Sequence, residues 1–234
     1  MVRERCIEAT GQLLDVSQKR KLKVVDILEG FMFQVDGVLT EAEASRFVQT
    51  AESIGLKHQG SKGSAYGEAF RDNERAAFQD EAFAEHLWQR SGLADVFCSI
   101  DLGSNQTAVG LNPNIRLYRY RPGQRFGKHV DDSVNLGGGI RTEYTLLIYL
   151  TGSGGPAVSK PKGKSAVQGK DSSVLVGGET VFYGPRGKVV ASIVPKAGRA
   201  LLHRHGDYCL EHEASPVTSG LKYILRTDVC FATG

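Results

Sequence analysis

The sequence contains no apolar run of the roughly 20 residues needed to cross a bilayer, and its first residues, MVRERCIEATGQ, lack the apolar centre of a secretory signal. These absences predict a cytoplasmic or nuclear protein with no membrane partner. Cysteine is scarce. Cys6, Cys98, Cys209 and Cys230 stand far apart, without the C-x-x-C spacing of a zinc site or redox pair, and are expected to be reduced thiols. A charge imbalance is missing too: with 29 Lys+Arg against 26 Asp+Glu, the net charge of +3 does not by itself point to nucleic acid, although a small basic groove stays open. There is no internal repeat and no alternation of strand and helix units, which argues against a doubly wound parallel sheet.

What is present is glycine, 28 residues against 7 prolines, and ten of the glycines fall between Gly137 and Gly178. Residues 1–23 end in the basic run QKRKLK without sustained periodicity and read as a flexible basic arm. Residues 24–234 read as one domain. Within it, 24–112 is expected to be a helical support. Thr40 and Glu43 form a capping-box signature ahead of Ala44, Phe47, Val48, Ala51 and Ile54 at helical spacing, and a second helix is predicted from about Asp80 to Arg90. From 113 to 234 the texture changes to short β-branched and aromatic runs such as IRLYRY, EYTLLIYL, KVVASIV and YILRTDVCF, which predict an antiparallel sandwich or barrel. Residues 151–178 are a Gly/Ser/Lys-rich insertion too polar to build a core of its own, read as a lid or a disordered loop.

The chemistry concentrates in RPGQRFGKHVDDS. In an extended segment His129 and Asp131, two apart, leave the same face of the strand, where an imidazole and a carboxylate suit a divalent metal. Such a pair alone more often makes a hydrogen bond. A third ligand is available among His203, His205 and His212. Beyond His212, Lys222, Ile224 and Arg226 share a strand face, and a buried cation there needs an anionic partner.

Taken in order, these elements resemble the prolyl 4-hydroxylase-like family of iron(II)- and 2-oxoglutarate-dependent dioxygenases. The resemblance rests on Tyr120 nine residues before His129 in PGQRFGKHVD, the run from Arg141 to Leu150, GGET at Gly177 to Thr180, PKAGRALL from Pro195, and Lys222 ten residues after His212. It implies a mainly β protein with supporting helices, a double-stranded β-helix, that is, a jelly-roll, cupin-like barrel. It implies His129, Asp131 and His212 as iron ligands, Lys222 on the distal carboxylate of 2-oxoglutarate, and Tyr120 and Thr145 as hydrogen-bond partners in the same pocket. Arg226 is the alternative to Lys222, or else pairs with an acidic neighbour or with substrate. The implied cofactors are Fe(II), with 2-oxoglutarate and O2 as cosubstrates and ascorbate as an accessory reductant. The implied reaction is hydroxylation of an unactivated C–H bond with release of succinate and CO2.

Arg71, Asn73 and Arg75, with Tyr118 on the strand face of Tyr120, are expected to contact substrate. The substrate is expected to be a protein or peptide side chain, proline among them, or a small molecule. Oxidative demethylation of a nucleobase or methylated protein uses the same chemistry, so nucleic acid stays open as a partner without being indicated. A catalytically silent binding module is the remaining reading.

Overall fold

The computed structural model describes residues 15–61, 63, 67–100, 106–152 and 174–233. Strands β1 (Val24–Leu28) and β2 (Met32–Val35) form an antiparallel hairpin. Thr40 then caps α1 (Glu41–Ile54) through the reciprocal box read from the sequence: its hydroxyl accepts the Glu43 N–H, and the Glu43 carboxylate accepts the Thr40 N–H at 2.6 Å. After β3 (Lys57–Gly60) and β4 (Arg71–Gln79), the Asp80 carboxylate accepts the Phe83 N–H and opens α2 (Glu81–Arg90). Helix α3 (Leu93–Ser99) follows through Gly92, whose left-handed backbone ends one helix and starts the next.

The rest of the chain is strand and turn: β5 (Gln106–Leu111), β6 (Asn114–Tyr120), β7 (Arg125–His129), β8 (Asn135–Gly137), β9 (Ile140–Tyr149), β10 (Val176–Gly177), β11 (Thr180–Tyr183), β12 (Val189–Ile193), β13 (Ala200–Arg204), β14 (Glu211–Ala214), β15 (Val217–Ser219) and β16 (Lys222–Thr233). Fourteen of these sixteen strands join one antiparallel sheet in the order β1-β2-β13-β9-β16-β6-β4-β7-β14-β11-β12, with β3, β5 and β8 on its flanks. β10 pairs separately with β15. The sheet curls into a nearly closed barrel, the double-stranded β-helix.

Period-two alternation divides the strands between two cores. On β16, Tyr223 and Leu225 face outward and pack with Leu117, Leu146 and Ile148 against Phe47, Phe83, Leu87 and Trp88 of the helices. Ile224 faces inward with Tyr118, Tyr120, Phe126, Tyr149, Phe182 and Leu201. Each such buried side chain contributes about 1.5–3 kcal/mol, so the helix layer stiffens the wall on which Lys222, Ile224 and Arg226 stand.

Two expectations change. Residues 24–112 are more than a helical support, because β1 to β5 lie there and all five join the main sheet. Residues 15–23, expected within a flexible arm, lie against the helices: Val16 is buried, the Lys19 ammonium meets the Glu43 carboxylate at 2.7 Å, and the Lys19 N–H donates to the Arg90 carbonyl at 2.8 Å. Of the basic run, Lys19 is thus spent inside the fold, whereas Arg20, Lys21 and Lys23 stay exposed. Of the insertion read at 151–178, residues 153–173 lie outside the described residues.

Candidate metal centre and keto-acid pocket

A tight turn returns the chain from β6 into β7, which ends at His129 and leaves Asp131 two residues on. Antiparallel pairing sets His212 of β14 directly opposite His129, with ring centroids 4.3 Å apart. The ligand atoms of His129, Asp131 and His212 all lie within 4.8 Å of one another, close enough to share one metal ion.

The two rings are held alike. His129 Nδ1 lies 2.9 Å from the Gly127 carbonyl and His212 Nδ1 2.9 Å from the Leu210 carbonyl. A carbonyl only accepts, so each Nδ1 carries the proton and each Nε2 lone pair is left for a metal. Burial, then the neighbouring His212, lower His129 to about 4, so its imidazole is neutral at physiological pH. Burial opposes charge on His212 as well, but hydrogen bonding to Asp131 and to Cys209 raises it to about 9. Metal binding at its Nε2 is therefore coupled to proton release. Burial alone would raise the Asp131 carboxyl; the Arg226 guanidinium and His212 instead hold it well below the carboxylate range.

Asp131 is gripped through both oxygens. Arg226 Nη2 lies 2.8 Å from Oδ1, and the Thr145 hydroxyl donates to Oδ2 at 2.9 Å. Thr145, expected beside the keto acid, thus stands behind the metal ligand, with its oxygen also 3.0 Å from His205 Nδ1. The reason is register: Thr145 pairs with His203 and Asp228, several rungs along the barrel from Lys222.

Lys222 is completely buried, and its Nζ has no hydrogen-bond partner among the described residues. It lies 5.2 Å from the Tyr120 ring and 5.8 Å from the Tyr149 ring, and burial pushes it down to about 7 against a partial pull from Glu179. An unpaired buried ammonium is costly, so this one fits a site built for an anion. Gly178 gives it room, since a Cβ there would fall 2.9 Å from Lys222 Cδ. The cleft that joins Lys222 to His129, Asp131 and His212 measures about 430 Å³ with its mouth and is also lined by Tyr118, Tyr120, Phe126, Leu147, Thr180, Glu213, Ile224 and Arg226. Thr180 and the buried Tyr149 hydroxyl share a 2.7 Å hydrogen bond at its wall. Nothing in the sequence around Tyr149 marks it for the site; the available signal is the GGET element, which delivers Thr180.

Arg71, Asn73, Arg75 and Tyr118 come to the same side of the barrel. Arg75 pairs in register with Tyr118, and Arg71 pairs with Phe126 while its guanidinium stacks 4.2 Å from that ring. Asn73 is fully buried beside the Tyr120 hydroxyl, with neither amide atom in a well-formed hydrogen bond. His203 and His205 stand nearby but off the cleft. His203, Cys209 and His212 could also group around an ion, yet neither His203 nor Cys209 lines the cleft, and the Cys209 sulfur already accepts the Asp131 N–H at 3.2 Å. The first set alone opens onto Lys222.

No helix among the described residues is long and apolar enough to cross a membrane. The sequence profile of the 2OG-Fe(II) oxygenase superfamily matches residues 115–227. Among solved structures, a viral collagen prolyl hydroxylase from Paramecium Bursaria Chlorella virus-1, in complex with 2OG, is 21% identical with a TM-score of 0.52, covering 86% of this chain and 96% of its own. A Pseudomonas putida prolyl-4-hydroxylase is 14% identical with a TM-score of 0.53 over 98% of both chains. A Trichoplax adhaerens prolyl hydroxylase, in complex with a hypoxia inducible factor oxygen degradation domain peptide fragment, is 18% identical with a TM-score of 0.54 over 97% of this chain and 89% of its own. At these identities the structures establish the shared fold. No curated protein sequence matches the chain significantly. Residues 115–227 carry a 2OG-Fe(II) oxygenase superfamily domain, and the chain is a 2-oxoglutarate-dependent dioxygenase.

Proposed function

We propose that the protein hydroxylates an unactivated C–H bond of a peptide or protein side chain, prolyl residues foremost, with 2-oxoglutarate converted to succinate and CO2. His129, Asp131 and His212 hold Fe(II), and Lys222 holds the distal carboxylate of 2-oxoglutarate, with the Tyr120 hydroxyl and the Thr180–Tyr149 pair on the same wall. The observation that carries this reading is the fully buried, unpartnered Lys222 ammonium in the cleft lined by the three ligands. When bound, the iron and keto acid supply the oxidising chemistry, with ascorbate as an accessory reductant in solution.

The chain's own residues have separable tasks. The carbonyls of Gly127 and Leu210 fix the imidazole tautomers and aim both Nε2 atoms inward. Arg226 and Thr145 keep the Asp131 carboxylate ionised and oriented. Lys222 orients the keto acid from its far end, leaving its reactive end toward the metal. Phe126, stacked 3.7 Å from the His129 ring, shields that ligand from water. The prolyl hydroxylase architecture of the solved relatives supports the substrate class, and the Trichoplax enzyme with its bound peptide fragment supports a polypeptide substrate.

Anaerobic titration of Fe(II) into the protein with 2-oxoglutarate tests the centre. A weak visible charge-transfer band is expected, and it should vanish in His129→Ala and Asp131→Ala; a band that survives both substitutions rejects the ligand set. Succinate formation above the uncoupled rate, measured with prolyl peptides, methylated oligonucleotides and metabolites in parallel, tests the substrate class. Stimulation by oligonucleotides alone would replace it with demethylation.

A further inference from the structure

β4 is divided by charge. Its residues alternate R-D-N-E-R, and the two faces of the strand have opposite fates. Asp72 and Glu74 point away from the cleft and are satisfied there: Asp72 accepts from the Gln124 amide at 3.0 Å, and Glu74 pairs with Arg119 and Arg121. Arg71 and Arg75 point to the cleft side, where the residues paired with them in register, Phe126 and Tyr118, line the cleft itself.

Neither guanidinium meets a carboxylate among the described residues. Most arginines around them differ: Arg116 pairs with Asp228, Arg119 with Glu52 and Glu74, Arg199 with Asp36, Arg204 with Glu143 and Arg226 with Asp131, while the exposed Arg125 stacks on Phe70. Arg71 only stacks on Phe126, which leaves its N–H edges free, and Arg75 is half-buried without a hydrogen bond or ring contact. Neither carboxylate of the cleft meets them: Asp131 is engaged by Arg226, and Glu213, which accepts the Tyr183 hydroxyl at 2.7 Å, forms no ion pair with either arginine. Lys57, opposite Arg75 on β3, extends the basic face.

We propose that Arg71 and Arg75 are a substrate-recognition pair for carboxylate side chains, so that the polypeptide hydroxylated at this site is acidic around its target residue. This rests on the dioxygenase reading above and adds the substrate's charge to it. Four residues of strand separate the two arginines by about 13 Å, too far for one small diacid. An extended peptide running beside β4 repeats its own side chains at the same interval, so acidic residues four apart would meet both guanidiniums. A nucleic acid is disfavoured because Arg71, Arg75 and the neighbouring Lys57 neutralise far fewer phosphates than the roughly 6–10 contacts of a strongly salt-dependent nucleic-acid binder, and most other arginines near the cleft are already paired.

Mn(II)-loaded protein with 2-oxoglutarate binds without turnover and gives a direct test. Three fluorescent proline-centred peptides of equal length, with acidic, neutral or basic flanks, are compared by anisotropy, together with a single-stranded oligonucleotide. The acidic peptide is expected to bind about tenfold more tightly than the neutral one, with an advantage that shrinks as salt rises. Arg71→Gln and Arg75→Gln should each remove most of that advantage, while leaving 2-oxoglutarate affinity and the neutral peptide unchanged. Equal binding of acidic and neutral peptides, tighter binding of the oligonucleotide, or an acidic preference that survives both substitutions would overturn the proposal. Calorimetry of 2-oxoglutarate on the same sample separates the two readings: its failure to bind rejects the keto-acid pocket, whereas normal binding without acidic preference rejects the arginine pair alone.

Discussion

The Arg226 guanidinium lies 2.8 Å from Oδ1 of Asp131, four residues along the same strand face from Lys222, whose ammonium makes no hydrogen bond among the described residues. One strand thus presents two buried cations with different duties. The arginine is spent on the metal-binding carboxylate and, at 3.8 Å, on Asp228, whose own charge is met by Arg116 at 2.6 Å. Only the lysine remains available for an incoming anion.

That division separates two substitutions. Lys222→Ala is expected to raise the 2-oxoglutarate concentration needed for half-maximal succinate formation by about 100-fold, in line with roughly 2–3 kcal/mol for a buried charge-assisted contact. Arg226→Gln should shift it far less and instead alter metal affinity, measured by calorimetry with Mn(II). The reverse pattern would transfer the keto-acid role to Arg226.

Lys222 also sets a pH dependence. Burial lowers it to about 7, so above that pH the side chain of the free protein is neutral and must take up a proton to hold the keto acid. Affinity for 2-oxoglutarate should therefore be level on the acid side of 7 and fall by up to about tenfold per pH unit on the alkaline side. Calorimetry of the Mn(II)-loaded protein in buffers of different ionisation enthalpy should detect the proton uptake at pH 8, and no uptake would show that the lysine is already charged.

Thr145→Val removes the hydroxyl that donates to Asp131 Oδ2 while keeping the side chain's shape. Metal affinity should fall by about 10–100-fold, as for other residues that orient a ligand from behind. Since Thr145 touches no residue of the Lys222 wall, 2-oxoglutarate affinity at saturating metal should hold. Separate titrations of metal and keto acid distinguish the two.

Gly178→Ala carries both a backbone and a steric penalty. The residue sits at φ +74°, and its new Cβ would meet Lys222 Cδ at 2.9 Å and Val217 Cγ2 at 3.2 Å. A loss of about 1–3 kcal/mol is expected, read as a lower denaturation midpoint, accompanied by weaker keto-acid binding because the lysine is displaced. Gly187→Ala, at a comparable φ but with open space around it, should reproduce the strain without the effect on 2-oxoglutarate.

Local sequence determined what depends on short-range geometry. The Thr40–Glu43 box, the Asp80 cap and the helical spacing behind them are decided within a few residues, and so are α1 and α2. The two-residue spacing of His129 and Asp131 required only that their segment be extended, and the change to short β-branched runs after Ile115 announced the barrel. Tertiary structure decided everything that depends on strands meeting across distance. His212 comes opposite His129 because β14 pairs with β7, and the helical support acquires five strands because the main sheet can bury their inner faces. Thr145 moves from the keto acid to Asp131, and Arg226 to the same carboxylate, because register places them on that rung of the barrel. Spacing along a strand sets which face a side chain leaves; only the pairing of distant strands sets what it meets there.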